Sequence, residues 1–168
     1  DVSGGTFHSF ANLTLRKYAA LLGYTPSFTI LDQGDSHDAI NLLRTRMGLA
    51  TAKRRFPKKN TIGSMISLAV SRCVGLEQVI EKDYPYFVQD TEDLLRLADA
   101  YRAYKLRANA MDYDDLLTNL VRLLEEHPEA RAALAKRYRY IMVDEYQDVN
   151  RLEARIVRLL SGEDPANA

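Results

Sequence analysis

With 168 residues, 46% of them apolar and 27% charged, the chain has material for one ordinary globular domain, or one domain with an insert. Its 23 Lys and Arg balance 23 Asp and Glu, so a chain-wide basic field is excluded and any nucleic-acid contact must come from a local patch. The apolar runs are too short to span a membrane, Asp1 to Gly5 has no signal-peptide layout, and the single cysteine, Cys73, excludes an internal disulfide or a multi-cysteine zinc site.

Such cysteine usage fits a reducing, cytoplasmic setting. Periodicity predicts a mostly helical chain, with strand signals only near its two ends. Residues 7–22 carry Phe7, Phe10, Tyr18, Leu21 and Leu22 at helical spacing, with Gly23 as the stop and Pro26 just beyond. Residues 35–47 place Ile40, Leu43 and Met47 on one face and end at Gly48. Residues 61–73 form an apolar stripe from Ile62 through Met65, Ile66, Ala69 and Val70 to Cys73. Tyr84, Pro85, Tyr86 and Phe87 form an aromatic cluster, read as a packing corner in preference to a base-stacking platform. Asp90 is a candidate N-cap for a helix over 91–107 with Leu94, Leu97, Ala98, Tyr101 and Tyr104 inward. A further helix begins near Asp112 and carries Leu116, Leu117, Leu120, Leu123 and Leu124, and Pro128 suits the first turn of a helix over 128–137.

Then the pattern changes. Tyr140, Ile141, Met142 and Val143 form a continuous apolar run, which predicts a short buried parallel strand at about 139–144 with Asp144 at its carboxyl end. Asn150 and Glu153 suggest a capping-box variant opening a last helix with Leu152, Ile156, Leu159 and Leu160, stopped by Gly162. One parallel strand needs partners, and the only other candidate lies around Asp1 to Thr6. The expectation is a piece of a larger protein.

Chemistry concentrates in Val143-Asp144-Glu145-Tyr146-Gln147-Asp148. In phosphate-loop ATPases an Asp at the end of a buried strand holds magnesium, a hard ion that takes oxygen ligands, keeps several waters and so needs only one or two carboxylates. A neighbouring Glu can take a proton from the attacking water. Acids also follow strands merely because the chain leaves the core there.

The longer string is more specific. Asp144-Glu145-Tyr146-Gln147-Asp148 resembles motif II of the UvrD/Rep/PcrA helicases of superfamily one. Gly5-Thr6-Phe7-His8-Ser9-Phe10-Ala11 is similar to their Thr-Phe-His motif, and Met111-Asp112-Tyr113-Asp114-Asp115-Leu116-Leu117 to the short acidic motif preceding motif II. The resemblance implies a mainly α fold with a small β element. It would be part of a phosphate-loop ATPase (RecA-like) motor domain over 1–24 and 111–168, interrupted by an inserted helical subdomain over 25–110. It implies ATP hydrolysis with Mg2+, with translocation on single-stranded DNA and duplex unwinding, 3′ to 5′, in replication or repair. Asp144 would be the magnesium acid, Glu145 the base, and Gln147 the sensor of the γ-phosphate. Thr6, Phe7 and His8 would touch single-stranded DNA, where Phe7 could stack on a base or simply pack in the core. His8 lies off the apolar face, which leaves it no packing role. Asp112, Asp114 and Asp115 are equally an acidic helix start favoured by the dipole.

A basic cluster of Arg44, Arg46, Lys53, Arg54, Arg55, Lys58 and Lys59 puts seven of the 23 basic residues within 16 positions. With Phe56 and Pro57 it resembles the family's duplex-facing stretch, where Lys and Arg would neutralise phosphates; the bland alternative is a solvated loop. None of the eight glycines is followed by Lys, so the phosphate-binding loop Gly-x-x-x-x-Gly-Lys-Ser/Thr is missing, as are the family's third motif and second motor domain. The chain alone is therefore expected not to hydrolyse ATP. The competing reading is a stand-alone helical DNA-binding or adaptor module with a vestigial acidic motif. A complete small ATPase is disfavoured by the missing Gly-Lys element.

Overall fold

The computed structural model describes residues 4–50 and 55–162. These fall into two compact units. One is built from residues up to Phe28 and from Tyr113 onward, the other from Thr29–Asp112.

In the first unit, α1 (Phe7–Tyr18) continues into a 3-10 turn at Ala19–Leu22 and stops at Gly23. There φ is +84°, a left-handed backbone that glycine adopts without a Cβ clash. The face that packs is Ala11, Thr14, Leu15, Ala19 and Leu22. This corrects the expected stripe: Phe7, Phe10 and Tyr18 are half-buried, and Leu21 is exposed. Small residues let α1 approach its neighbour closely, which rotates the larger side chains to the flank. That neighbour is α6 (Tyr113–Glu126), which also receives α7 (Pro128–Arg137) and α8 (Arg151–Ser161). Leu116, Leu117, Leu120, Leu123 and Leu124 are all buried, as their spacing predicts, and each contributes about 2 kcal/mol of transfer free energy before entropy.

The second unit begins with β1 (Thr29–Ile30) and ends with β2 (Ala110–Met111), which pair in parallel with Thr29 opposite Ala110 and Ile30 opposite Met111. Between them lie α2 (Gln33–Arg46), α3 (Lys59–Arg72), α4 (Leu76–Asp83), a 3-10 turn at Pro85–Asp90, and α5 (Thr91–Arg107). Asp32 caps α2 by accepting from the Asp35 N–H at 2.8 Å. The core gathers Ile40, Leu43, Phe56, Ile62, Met65, Ile80, Leu94, Leu97 and Tyr101. Tyr84 and Phe87 pack against it while Tyr86 is 94% exposed, so the aromatic cluster is a packing corner. The α4 helix carried no expectation, because its eight residues offer barely two turns of pattern. Asp90 precedes α5 without capping it through its side chain; the preceding 3-10 turn leads directly into the helix.

Among the described residues the strands lie at 29–30 and 110–111. The strand candidate around Asp1 to Thr6 falls in part outside the described residues, and the other β expectation is corrected. Residues 139–144 form no strand: the backbone over 138–143 has no regular structure and no strand beside it among the described residues. Tyr140 and Met142 are about nine-tenths exposed. Ile141 and Val143 are half-buried, and Ile141 lines a cavity of about 150 Å3 with Leu160 and Tyr138. The apolar run has strand composition, but among the described residues no strand lies beside it to pair with its N–H and C=O groups. Among the described residues no helix is long and apolar enough to cross a membrane.

Candidate functional site

The five residues 144–148 form one exposed turn between the irregular segment and α8. Its downstream end is held firmly. Asn150 accepts from the Glu153 N–H at 2.9 Å, and its own N–H donates to Glu153 Oε2 at 3.1 Å, a complete capping box. Leu152, Ile156 and Leu160 bury the inner face of α8, and Arg155 pairs with Glu125 of α6 at 2.5 Å. The motif is therefore displayed from the start of an anchored helix.

Within the turn the Asp148 N–H donates to the Glu145 carbonyl at 2.8 Å, closing the 3-10 turn Tyr146–Asp148. Glu145 sits at φ +48°, ψ +45°, left-handed for a side chain that rarely goes there. The Asp144 Oδ1 accepts from the Glu145 N–H at 2.9 Å, and the Gln147 Nε2 donates to Glu145 Oε2. One turn thus brings Asp144, Glu145 and Gln147 together. The left-handed backbone at Glu145 was not legible, since nothing in a Glu marks it. Among the described residues no group of three metal-ligating side chains assembles. A magnesium ion here would need waters and phosphate oxygens to complete its shell, which is how that ion is ordinarily held. The donor chemistry of Asp144 and Glu145 fits it. The sequence contains no Gly-Lys pair of the phosphate-binding loop to accompany them.

The Thr6 hydroxyl caps α1 by accepting from the Ser9 N–H at 3.2 Å, so it already has a structural task. Phe7 is half-buried beside it. His8, expected to lie free of packing, meets the Tyr113 ring edge-on at 5.7 Å and is half-buried. Among the described residues no hydrogen bond or ring contact joins Thr6, Phe7 or His8 to the turn at 144–148.

In the second unit, the basic cluster is uneven. Lys53 and Arg54 lie outside the described residues. Arg46, Arg55 and Lys58 are exposed. Lys59 Nζ instead pairs with Asp38 Oδ1 at 2.5 Å, and the hydrogen bond and charge of Lys59 hold the Asp38 carboxyl below its ordinary value. Arg44 donates to Asn41 Oδ1 at 3.1 Å with its Nε buried. Asp112, one of the three acids at the helix start, is buried. Its Oδ2 accepts from Lys105 Nζ at 2.6 Å and from the Tyr101 hydroxyl at 2.9 Å.

The profile of the UvrD/REP helicase N-terminal domain matches residues 1–166. The chain belongs to this family. It is 33% identical over 168 residues to the ATP-dependent DNA helicase UvrD1 of Mycobacterium leprae, covering 97% of this chain and 21% of that protein. To the ATP-dependent DNA helicase PcrA of Bacillus subtilis it is 30% identical over 161 residues, covering 96% and 21%. To PcrA of Staphylococcus epidermidis it is 30% identical over 159 residues, covering 93% and 21%. This UvrD/REP chain thus spans about a fifth of the length of the curated relatives it matches.

Proposed function

We propose that the chain forms part of the first motor domain of an ATP-dependent DNA helicase, carrying motif II and an inserted helical subdomain. It would act in the full-length protein by coupling ATP hydrolysis to 3′ to 5′ movement on single-stranded DNA and to duplex unwinding in replication or repair. The observation that carries this is the exposed Asp144-Glu145-Tyr146-Gln147-Asp148 turn mounted on a capped, anchored helix in a chain of this family.

Bound magnesium offsets the negative charge of the triphosphate. Asp144 offers the carboxylate to hold it. Glu145 takes the proton of the attacking water as that oxygen bonds to the γ-phosphorus, and the β–γ bridging oxygen leaves with the electron pair of the broken bond, giving ADP and phosphate. Gln147, two residues on, responds to the γ-phosphate. Thr6, Phe7 and His8 at the start of α1 line the path of single-stranded DNA. The stretch from Arg44 to Lys59, including Lys53, Arg54, Arg55 and Lys58, meets the duplex phosphates. Hydrolysis needs the phosphate cradle that this stretch of sequence lacks, so the isolated chain is inactive. The setting is cytoplasmic.

The test is Glu145→Gln in the full-length protein. Hydrolysis should fall by about 100-fold or more, the scale of general-base catalysis, while Mg2+-ATP binding holds. Retained hydrolysis would remove Glu145 from the role of base.

A further inference from the structure

Glu145 sits in a backbone conformation that its side chain does not favour, at φ +48°, ψ +45°. A residue other than glycine stays left-handed only where the chain around it leaves no alternative. Three hydrogen bonds shape the turn. The Asp144 Oδ1 accepts the Glu145 N–H at 2.9 Å, the Glu145 carbonyl accepts the Asp148 N–H at 2.8 Å, and the Tyr146 carbonyl accepts the Val149 N–H at 3.2 Å. All three are internal to residues 144–149, so they fix the shape of the turn and not its place. The upstream side, residues 138–143, has no regular structure. The downstream side is different. Val149 is extended and half-buried, and Asn150 exchanges two bonds with Glu153. Asn150 Oδ1 accepts the Glu153 N–H at 2.9 Å, and the Asn150 N–H donates to Glu153 Oε2 at 3.1 Å. Leu152, between the two, and Ile156, one turn further on, are buried. The box therefore ties the chain, five positions after Glu145, to the packed face of α8.

We propose that Asn150 and Glu153 are positioning residues for ATP hydrolysis: their reciprocal bonds set where the turn, and with it Glu145, stands. This rests on the reading of Glu145 as the base and names the residues that hold it in place. Each of the two side chains is given to the other's backbone, so their effect on the reaction passes through the backbone and not through contact with nucleotide. Without the box, N–H groups in the first turn of α8 lose their acceptor and the turn frays. The link through Val149 can then rotate, and nothing further down the helix corrects the position of residues 145–148. A base takes a proton only from a water within hydrogen-bond reach, so a small displacement of Glu145 matters more to the rate than to nucleotide binding. The same box that starts the helix thus sets the aim of the base.

The test uses the full-length protein and two double variants. Asn150→Ala with Glu153→Ala removes both bonds. Its ATPase kcat should fall roughly tenfold, within the hundredfold or so that a misplacement of about 1 Å can cost. The KM for ATP should stay within about twofold, because the phosphate cradle is not part of this stretch of sequence. Asn150→Ser with Glu153→Gln keeps an acceptor for each of the same two N–H groups, and its kcat should stay within about twofold of wild type. Rates are taken well below each variant's melting midpoint, with helix content followed by circular dichroism, so that unfolding is separated from misplacement. A box that is merely structural lowers the melting midpoint and leaves the kcat of the folded protein unchanged. That result overturns the proposal, as does an equal loss of kcat in the Ser and Gln variant. Glu145→Gln is measured alongside. If it abolishes hydrolysis while the double Ala variant keeps the wild-type kcat, the base stands and the positioning role falls. If Glu145→Gln leaves hydrolysis intact, the assignment of the base fails and the positioning proposal falls with it.

Discussion

Asp112→Ala should be among the most destabilising single changes in the second unit, and the cause is electrostatic. The side chain of Asp112 is 11% exposed and that of its partner Lys105 is 6% exposed. Their charged atoms are 2.6 Å apart, the Tyr101 hydroxyl donates to the same carboxylate oxygen at 2.9 Å, and the ammonium lies 4.3 Å from the Tyr101 ring centre. Tyr101 and Lys105 are one turn apart on α5, and Asp112 directly follows β2. The clasp therefore closes the reversal from α5 into β2, which passes through Asn109 at φ +49°. Removing the carboxylate takes from a buried ammonium the counter-charge 2.6 Å away, a loss of about 3–5 kcal/mol. In urea, with a slope of about 1–3 kcal/mol per molar, the midpoint should move down by roughly 2 M. Lys105→Met should cost a similar amount by removing the ammonium beside the buried carboxylate. The double variant Lys105→Met with Asp112→Leu removes both charges and should lie within about 2 kcal/mol of wild type, far above the sum of the single changes. Urea melts of the four proteins, followed by circular dichroism, give the cycle directly. A shift below about 1 kcal/mol for Asp112→Ala, or strict additivity in the double variant, would refute a buried, coupled pair.

Other expectations are independent of that clasp. Calorimetry of the isolated chain with Mg2+-ATP should show weak binding at best and no hydrolysis, since a carboxylate pair cannot replace a phosphate cradle; micromolar binding would reveal a phosphate site of another kind. The isolated chain should bind duplex DNA weakly and without sequence preference, and replacing Lys53, Arg54 and Arg55 with Ala should flatten the salt dependence by up to about three in the log–log slope, measured by fluorescence anisotropy. An unchanged slope would make the stretch a solvated loop. The Asp38 carboxyl should titrate below its ordinary value, because Lys59 donates to its charged form. Such a lowered value stabilises the fold above the unfolded-state pKa, and that stabilisation is lost as pH falls through the folded one. Lys59→Met should move the Asp38 titration upward in a carboxyl-detected NMR series, and an unmoved curve would show that the pair does not persist in solution.

The helices could be read from the sequence because the information that specifies them is local. The α6 leucines fall at 116, 117, 120, 123 and 124, a pattern that only a 3.6-residue period satisfies, and all five are buried. The stop at Gly23 and the capping box at Asn150 were legible for the same reason: each is a backbone requirement met by one or two nearby side chains. The α1 face was misjudged because the larger residues were given the core, whereas close helix approach favours Ala11 and Ala19. The pairing of β1 with β2 joins residues about eighty positions apart over two residues each, too short for any alternation to register.

The motif of the candidate site can be read from the sequence, and its local geometry cannot. The run from Tyr140 to Val143 was taken for a buried strand because it is apolar on both faces, but a strand is a relation between segments, and composition can state only one side of it. With no ladder beside it, the segment alternates instead: Ile141 and Val143 half-buried, Tyr140 and Met142 in solvent. Asp112 differs from its neighbours in the sequence. Three acids in four residues, Asp112, Asp114 and Asp115, suggest one acidic helix start. Yet Asp112 precedes α6, and its side chain turns back to Lys105, seven positions earlier, which periodicity within α6 could not reveal. A carboxylate that is to hold an ion or take a proton must stay accessible to water. One tied to a buried ammonium and a buried phenol is spent on the fold. The acids at 144 and 145 are exposed and meet that requirement, whereas Asp112 is held in the fold.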